Sequence, residues 1–469
     1  AKDVQAKIIG EGANLAVTQL GRIEFALLGG AINTDAIDNS AGVDCSDHEV
    51  NLKIFFNQLI QKNALTYDQR DDMMRAMETS VAQHVLRNTA QQVFLLSVLA
   101  HGAHNNTSVI EQFVDDMVKH PKMPLNKQVE YLPAYEELSN RFGQGQGYTR
   151  PELAIITAYA KNQLYQKLME YIDPHLYESY YLAYFPSMMV LEYKDQLQDH
   201  PLHKEILCTV LANYMINRVG PHFIHGIMNA RGAAHHDIVH AFFAIHQITN
   251  LGDVWNQISD STNLSLMEKY KAWEKLSNIM RQMIMSYLRK KSVFDQTQHH
   301  DMALLFQNLL LQLTGPALTL NVGFETLMNR LSHYPLALEL CSYGPSGFVS
   351  AINHINDSLK HLWDATDFPF LMVLLNDNKF ETSWEIGTKY NFDDDILNMM
   401  GACMISAIHQ DNMPHWLEQH TNAISVYQNH LKIAKCAHTS DEKNLGVISY
   451  IVKQLALLNE QLGRDCTHS

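Results

Sequence analysis

The chain has no C-x-x-C pair. Its six cysteines, Cys45, Cys208, Cys341, Cys403, Cys436 and Cys466, are scattered over 469 residues. That argues against both a zinc site and a disulfide framework, and suits a reducing cytoplasm. Positive charge is also scarce. Lys+Arg is 35 against Asp+Glu 50, a formal net charge of −15 with His neutral. A nucleic-acid partner needs a basic face, so none is expected. The longest basic cluster, Arg289-Lys290-Lys291, reads as a solvated helix end. No apolar run approaches the ~18–20 residues of a membrane span, and no secretory signal is visible. A membrane partner is therefore not expected either. A dinucleotide fingerprint is missing too. Gly10-x-Gly12 starts one, but Leu15 stands where the third glycine belongs, and no acid closes a βαβ unit in the usual place.

What is present is mostly helical pattern. Hydrophobic residues make up 46% of the chain, and its length implies about two or three packed units. Thr66-x-x-Gln69, Thr149-x-x-Glu152 and Ser265-x-x-Glu268 read as capping boxes. Pro151 falls in a first turn, where proline is tolerated. Leu153, Ile156, Tyr159, Ala160, Leu164 and Leu168 form one apolar stripe; Met280, Ile284, Tyr287 and Leu288 form another. Such stripes are core. Linker signals fall at Lys119 to Gly147, with Pro121, Pro124, Pro133 and FGQGQG, and again near 250–265 and 334–347. Histidines number 25. His236 and His240, four apart, have the spacing to share a metal on one helix face. The segment is H-D-I-V-H rather than H-E-x-x-H and no third ligand is in view. The expectation is therefore no metal, with helix histidines solvated or hydrogen-bonded.

Residues 8–51 carry the most information. Ala6 to Ile9 is a short apolar run, and Gly10 to Asn14 a glycine-bearing turn. Leu20, Ile23, Leu27 and Leu28 lie at helical spacing within Thr18 to Leu28, ended by Gly29-Gly30. Ala31 to Ile37 reads as a second strand, Asn39 to Ser46 as a second turn, and Asp47 to Ile60 as a second helix. Asp47 and Glu49 near its start suit the positive end of the helix dipole. This is strand–turn–helix written twice, and ligands in open α/β sheets bind at the carboxyl ends of strands. Asn14 and Asn39 each offer an amide donor and a carbonyl acceptor, suited to a nicotinamide carboxamide or a ribose. Ser46 suits a substrate carboxylate. The same residues also serve as ordinary turn formers and helix caps. Cys45, inside the second turn, is expected to be small and partly buried.

Glu11-Gly12-Ala13-Asn14 resembles the EGAN turn of glutamate dehydrogenases, which lies beside the nicotinamide half of the cofactor. Asn39-Ser40-Ala41-Gly42-Val43 is similar to the NAGGV turn of the smaller hexameric enzymes. Asn39, Gly42 and Val43 match, whereas Ser40 and Ala41 depart from Ala-Gly. Ser46 falls on the serine that contacts the substrate carboxylate, and Glu49 on the glutamate of the following helix. INTDAIDNSAGVDCSDHEVN, residues 32–51, resembles the large NAD-dependent glutamate dehydrogenases of bacteria almost without departure. YTRPELA at 148–154, and HPLHKEI and ANYMINRVG between His200 and Gly220, resemble the same class more loosely.

The resemblance implies NAD as cofactor and L-glutamate and 2-oxoglutarate as substrates. It places Gly12, Ala13, Asn14 and Asn39 at the cofactor, and Val43 and Ser46 at the substrate. It implies a homo-oligomer. The catalytic lysine and aspartate and the phosphate-binding turn precede the EGAN turn in this family. No catalytic residue is therefore expected in this chain, which reads as a carboxyl-terminal fragment, inactive alone. The expected fold is mainly α. A short α/β remnant of a Rossmann-type dinucleotide-binding domain (1–62) is followed by helices packing on it (63–118), a linker (119–147) and a helical carboxyl-terminal domain (148–469). The competing reading is a helical regulatory or oligomerisation module without catalysis.

Overall fold

A computed structural model describes residues 2–102, 107–296, 299–314, 324–341, 393, 395–400, 420–438 and 445–464. The chain is mainly α-helical and divides into two compact units, 1–222 and 223–469.

The first unit opens with the only sheet among the described residues. Strands β1 (Ile8–Ile9) and β2 (Ala31–Ile32) pair in parallel, Ile8 opposite Ala31 and Ile9 opposite Ile32. Helix α1 (Gln19–Leu27) connects them. Thr18 caps it, its hydroxyl accepting from the Gly21 N–H. Its end turns through Gly29 at φ +90°, a conformation that favours glycine. Gly30 lies flat against Phe25: a Cβ there would sit 2.2 Å from the ring.

The second expected strand is shorter than Ala31 to Ile37. Thr34 turns the chain, its carbonyl accepting from the Ile37 and Asp38 N–H groups, and Asp35–Asp38 form one helical turn, α2. The expected second turn is likewise absent. Helix α3 runs from Ser40 to Gln61 with Asn39 at its cap, so Asn39 to Ser46 are the cap and first two turns of one continuous helix. The Asn39 N–H closes α2 on the Asp35 carbonyl, and the small residues Ser40, Ala41 and Gly42 let the chain coil straight on. Asp47 and Glu49 therefore stand past the first turn. Glu49 is exposed and pairs with Lys53 one turn on.

Helix α4 (Tyr67–Gly102) lies along α3. It is followed by α5 (Thr107–Val118), α6 (Tyr135–Gly143) and α7 (Arg150–Tyr171). The stretch 119–147 belongs inside this unit. It carries α6 and buries Leu125, Leu132 and Leu138, and Arg141 Nη1 donates to both oxygens of the buried Glu152 carboxylate at 2.9 and 3.0 Å. The compact units part instead at His222. Beyond α7 come α8 (Glu178–Leu182), α9 (Ser187–Leu197) and α10 (His203–Val219). Helix α7 buries Leu153, Ile156, Ala160, Leu164 and Leu168 and packs along α10, with α1 and α4 also against it. Tyr159, on the same stripe, is half-buried and donates to Glu130.

The second unit holds α11 (Phe223–Arg231), α12 (His235–Thr249), α13 (Leu251–Asp260), α14 (Leu266–Arg289), α15 (Lys291–Gln296), α16 (His299–Thr314), α17 (Phe324–Ser332) and α18 (Tyr334–Cys341). Thr421–His438 and Leu445–Arg464 form two further helices packed on each other. Its core is α12 and α14, with α16 on the first and α18 on the second. Met280, Ile284 and Tyr287 are fully buried there. Two expected linkers are largely helical: α13 occupies most of 250–265, and α18 most of the described part of 334–347. All three capping boxes form. The Thr66, Thr149 and Ser265 N–H groups each donate to the acid or amide three residues on, at 2.9, 2.7 and 2.8 Å. No described helix is long and apolar enough to cross a membrane.

Candidate functional site

The Gly10–Leu15 turn leaves the end of β1 and is held from beneath by a buried charge network. Glu11 is 2% exposed and Arg22 5%. The Arg22 Nε and Nη2 donate to the two Glu11 carboxylate oxygens at 2.6 and 2.7 Å. Nη2 also reaches Asp35 Oδ1 at 2.9 Å. The other oxygen of Asp35 accepts the Leu15 N–H at 2.9 Å. Leu15 has φ +54°, the left-handed region that side chains avoid. It holds that conformation at the position where a dinucleotide fingerprint would place glycine. Asp38 accepts from the Glu11 N–H at 3.1 Å and from Asn33 at 2.7 Å, and Arg150 of α7 donates to Asn33 at 2.9 Å.

The network sets the ionisation of its members. The Glu11 hydrogen bond raises Arg22 above its ordinary value, against the pull of burial. Burial alone would raise the Asp35 carboxyl, but the Leu15 N–H and the Arg22 guanidinium hold it below the usual carboxylate range. Sequence pattern did not single out Glu11, Arg22 or Asp35. The signal available was the acid and base spaced at Glu11, Arg22 and Asp35 around a turn otherwise apolar or amide.

Above this base, the residues expected to bind ligand come together. Asn39 Nδ2 donates to Asn14 Oδ1 at 2.5 Å. Gly12, Ala13 and Asn14 are exposed, and a Cβ at Gly12 would meet nothing within 4 Å. Asn39, Val43 and Ser46 follow one another at i, i+4 and i+7 and so share a face of α3. Val43 is 71% exposed. The Ser46 hydroxyl is exposed and donates back to the Gly42 carbonyl at 3.1 Å. Cys45 is exposed rather than partly buried, because it falls on the solvent side of a helix and not in a turn. Cys208 and Cys341 are buried free thiols; Cys403, Cys466 and the Cys436 side chain lie outside the described residues.

The opposite face of α3 is a polar seam against α4. Ser40 Oγ and Thr89 Oγ1 lie 3.1 Å apart, Asn88 donates to Asp44 at 2.8 Å, and the His48 and His84 rings are 5.8 Å apart. Lys161 of α7 joins the seam by donating to Gln92 at 3.0 Å. His48 is buried, stacks on Tyr184 at 4.2 Å, and has Asp44 Oδ1 at 3.7 Å. The Tyr184 hydroxyl donates to Asp47 at 2.8 Å and accepts from Asn51 at 2.9 Å. Burial lowers His48 below its ordinary value, with His84 adding to the effect and Asp44 opposing it. His200 closes the far end. Its Nδ1 accepts the Leu202 N–H at 3.0 Å, which leaves Nε2–H to donate to the Asn51 carbonyl at 3.0 Å.

The histidines of α12 sit apart from this region in sequence. His236 lies 3.3 Å from Asp237, His240 sets its edge on Tyr287, and His246 stacks on Trp255 at 5.3 Å. Among the described residues no three His, Cys, Asp or Glu side chains are grouped to hold a metal ion.

Residues 1–99 match the family model "Bacterial NAD-glutamate dehydrogenase, catalytic domain", and residues 145–306 match "Glutamate dehydrogenase, C-terminal". Three curated proteins named NAD-specific glutamate dehydrogenase are similar. That of Pseudomonas aeruginosa is 28% identical over 97% of this chain and 30% of its own length. That of Mycobacterium tuberculosis is 36% identical over 55% of this chain and 16% of its own length. That of Halomonas elongata is 31% identical over 62% of this chain and 18% of its own length. The chain thus spans less than a third of the relatives it matches. The EGAN turn, the Asn39–Ser46 helix start and α7 all fall inside the matched segments, and the chain belongs to the bacterial NAD-glutamate dehydrogenase family.

Proposed function

We propose that this chain forms the nicotinamide and substrate-carboxylate side of an NAD-dependent glutamate dehydrogenase. The reaction converts L-glutamate, NAD and water to 2-oxoglutarate, ammonia and NADH. The observation that carries the reading is the Asn39–Asn14 bond. It spends one donor and one acceptor, and leaves Asn14 Nδ2 and Asn39 Oδ1 with no partner among the described residues. One donor beside one acceptor is the complement of a carboxamide, the group that a nicotinamide ring presents. The exposed backbone at Gly12 and Ala13 allows close approach on the same side. NAD, when bound, supplies the hydride acceptor; the residues here orient its carboxamide end.

Ser46 holds the substrate carboxylate on the same helix face, through its exposed hydroxyl. Val43, between them, offers an apolar contact to the substrate's methylenes. The β1–α1–β2 segment is the end of a Rossmann-type sheet, and the groups that move protons lie outside this chain. The enzyme is a cytoplasmic homo-oligomer in this reading. The alternative, a helical regulatory module, has no use for an exposed, amide-lined turn fixed by a buried ion-pair network.

The test is Ser46→Ala in a full-length enzyme carrying this sequence. A lost hydrogen bond to a charged group is worth roughly 1.5–3 kcal/mol, so KM for glutamate rises about ten- to a hundredfold while KM for NAD stays. A rise in the NAD constant alone would assign Ser46 to the wrong ligand.

A further inference from the structure

Arg218 stands in the last turn of α10 and is 5% exposed. Arg22 and Arg141, comparably buried in the same unit, each meet a buried carboxylate: Arg22 forks onto Glu11 through Nε and Nη2, and Arg141 Nη1 donates to both oxygens of Glu152. Arg218 meets no carboxylate among the described residues. Among the described residues it has one hydrogen bond, from Nη1 to the Tyr214 carbonyl at 3.2 Å, and its buried Nε has no acceptor. Its guanidinium lies over the Tyr214 ring, 3.5 Å from the centroid. Tyr180, half-buried like Tyr214, sets its ring edge-on to Tyr214 at 5.0 Å.

The helix end and the ring account for part of this placement. Carbonyls at a helix C-terminus attract a cation, and an aromatic face does the same. Both act on the charge. Of the five donors the guanidinium presents in a plane, the helix end takes one, at Nη1, and the ring face takes none. A buried charge left without a counter-ion is costly, and a carboxylate taking two parallel N–H bonds is its natural complement. We propose that Arg218, with Tyr180 and Tyr214 beside it, is the seat of a small carboxylate anion bound through the guanidinium fork. The site is separate in sequence from Asn14, Asn39 and Ser46 and does not depend on their assignment.

The probe is acetate, with chloride at matched ionic strength as the control, on the whole 469-residue chain. Binding is followed by the thermal midpoint and by the linewidth of carbon-labelled acetate. In the wild type, acetate raises the midpoint over chloride and the effect saturates. Arg218→Lys keeps the charge and loses the fork, which weakens acetate at least about tenfold. Arg218→Met abolishes the effect. The proposal is overturned if acetate and chloride act alike on the wild type, or if Arg218→Lys binds acetate as the wild type does. Should Arg218→Met fail to fold, the wild type and the lysine variant decide the matter between them.

Discussion

The side-chain amide of Asn39 donates to the side-chain carbonyl of Asn14 across 25 residues of sequence, at 2.5 Å. The bond joins the turn after β1 to the cap of α3, so the two segments present one polar edge. Asn39→Asp removes the donor and sets two oxygens face to face. In a full-length enzyme carrying this sequence, we expect KM for NAD to rise about tenfold or more, as befits a hydrogen bond lost next to a new repulsion. Chain stability should fall by no more than about 1 kcal/mol, since the pair is exposed. Steady-state kinetics with denaturant unfolding separates the two effects; an unchanged NAD constant would remove Asn39 from the cofactor site.

The Glu11–Arg22 pair should be far more costly to break. Removing one member of a buried ion pair leaves an uncompensated charge, at about 3–5 kcal/mol. Arg22→Met should therefore lower the denaturation midpoint of the chain sharply, and Glu11→Gln somewhat less, because an amide still accepts one of the two bonds. Equal and small losses from both would show that the pair is solvated.

Stability should depend on pH through the buried imidazoles. His48, His84 and His200 are each lowered below the ordinary 6.5, with burial the largest cause. Asp44 and Asp47 oppose this at His48, as does the Tyr184 carbonyl at His84. The unfolded chain takes up these protons near 6.5, the folded chain only at lower pH. In that interval the unfolded state binds more protons, so stability rises with pH. The contribution is complete above the unfolded value and is lost as pH falls through the folded ones. Denaturant midpoints between about pH 5 and 8 should show this slope. His48→Phe, which keeps a ring against Tyr184, should flatten it; a variant as steep as the wild type would place the titration elsewhere.

Gly30→Ala tests the packing of the first βα turn. The added methyl would meet Phe25 at 2.2 Å, and overpacking of this kind costs typically about 1–3 kcal/mol. Gly12→Ala, where a Cβ meets nothing within 4 Å, should cost much less. A thermal-unfolding comparison of the two reads the difference directly.

Local chemistry was legible where the signal was local. Three hydroxyl-x-x-acid or amide patterns predicted caps that form, and the stripes on α7 and α14 are buried because helical spacing alone decides which face is apolar. The second turn was misread for an equally local reason. Asn, Ser, Ala and Gly serve a loop and a helix start alike, and what selects the helix is the Asn39 N–H already closing α2. The stretch 119–147 looked like a linker through its prolines and glycines. Its anchoring comes from buried Leu125 and Leu132 and from the Arg141–Glu152 ion pair, contacts that periodicity and turn composition do not reveal. The pairing of Asn14 with Asn39 was likewise beyond periodicity: the sequence named both residues, and only the fold sets them side by side.

The rungs between α3 and α4 have a consequence for how sharply the site is specified. Ser40 with Thr89, Asp44 with Asn88 and His48 with His84 are three different matches whose α3 members stand one turn apart. An apolar seam of similar side chains would tolerate a slide of one turn. Here a slide would break the Asn88–Asp44 hydrogen bond and part Ser40 from Thr89. Such a slide is about 5.4 Å along the axis, enough to carry Asn39 out of reach of Asn14. The seam works as a vernier: its contacts favour the present setting of α3, and with it the present position of the amide edge at the end of β1.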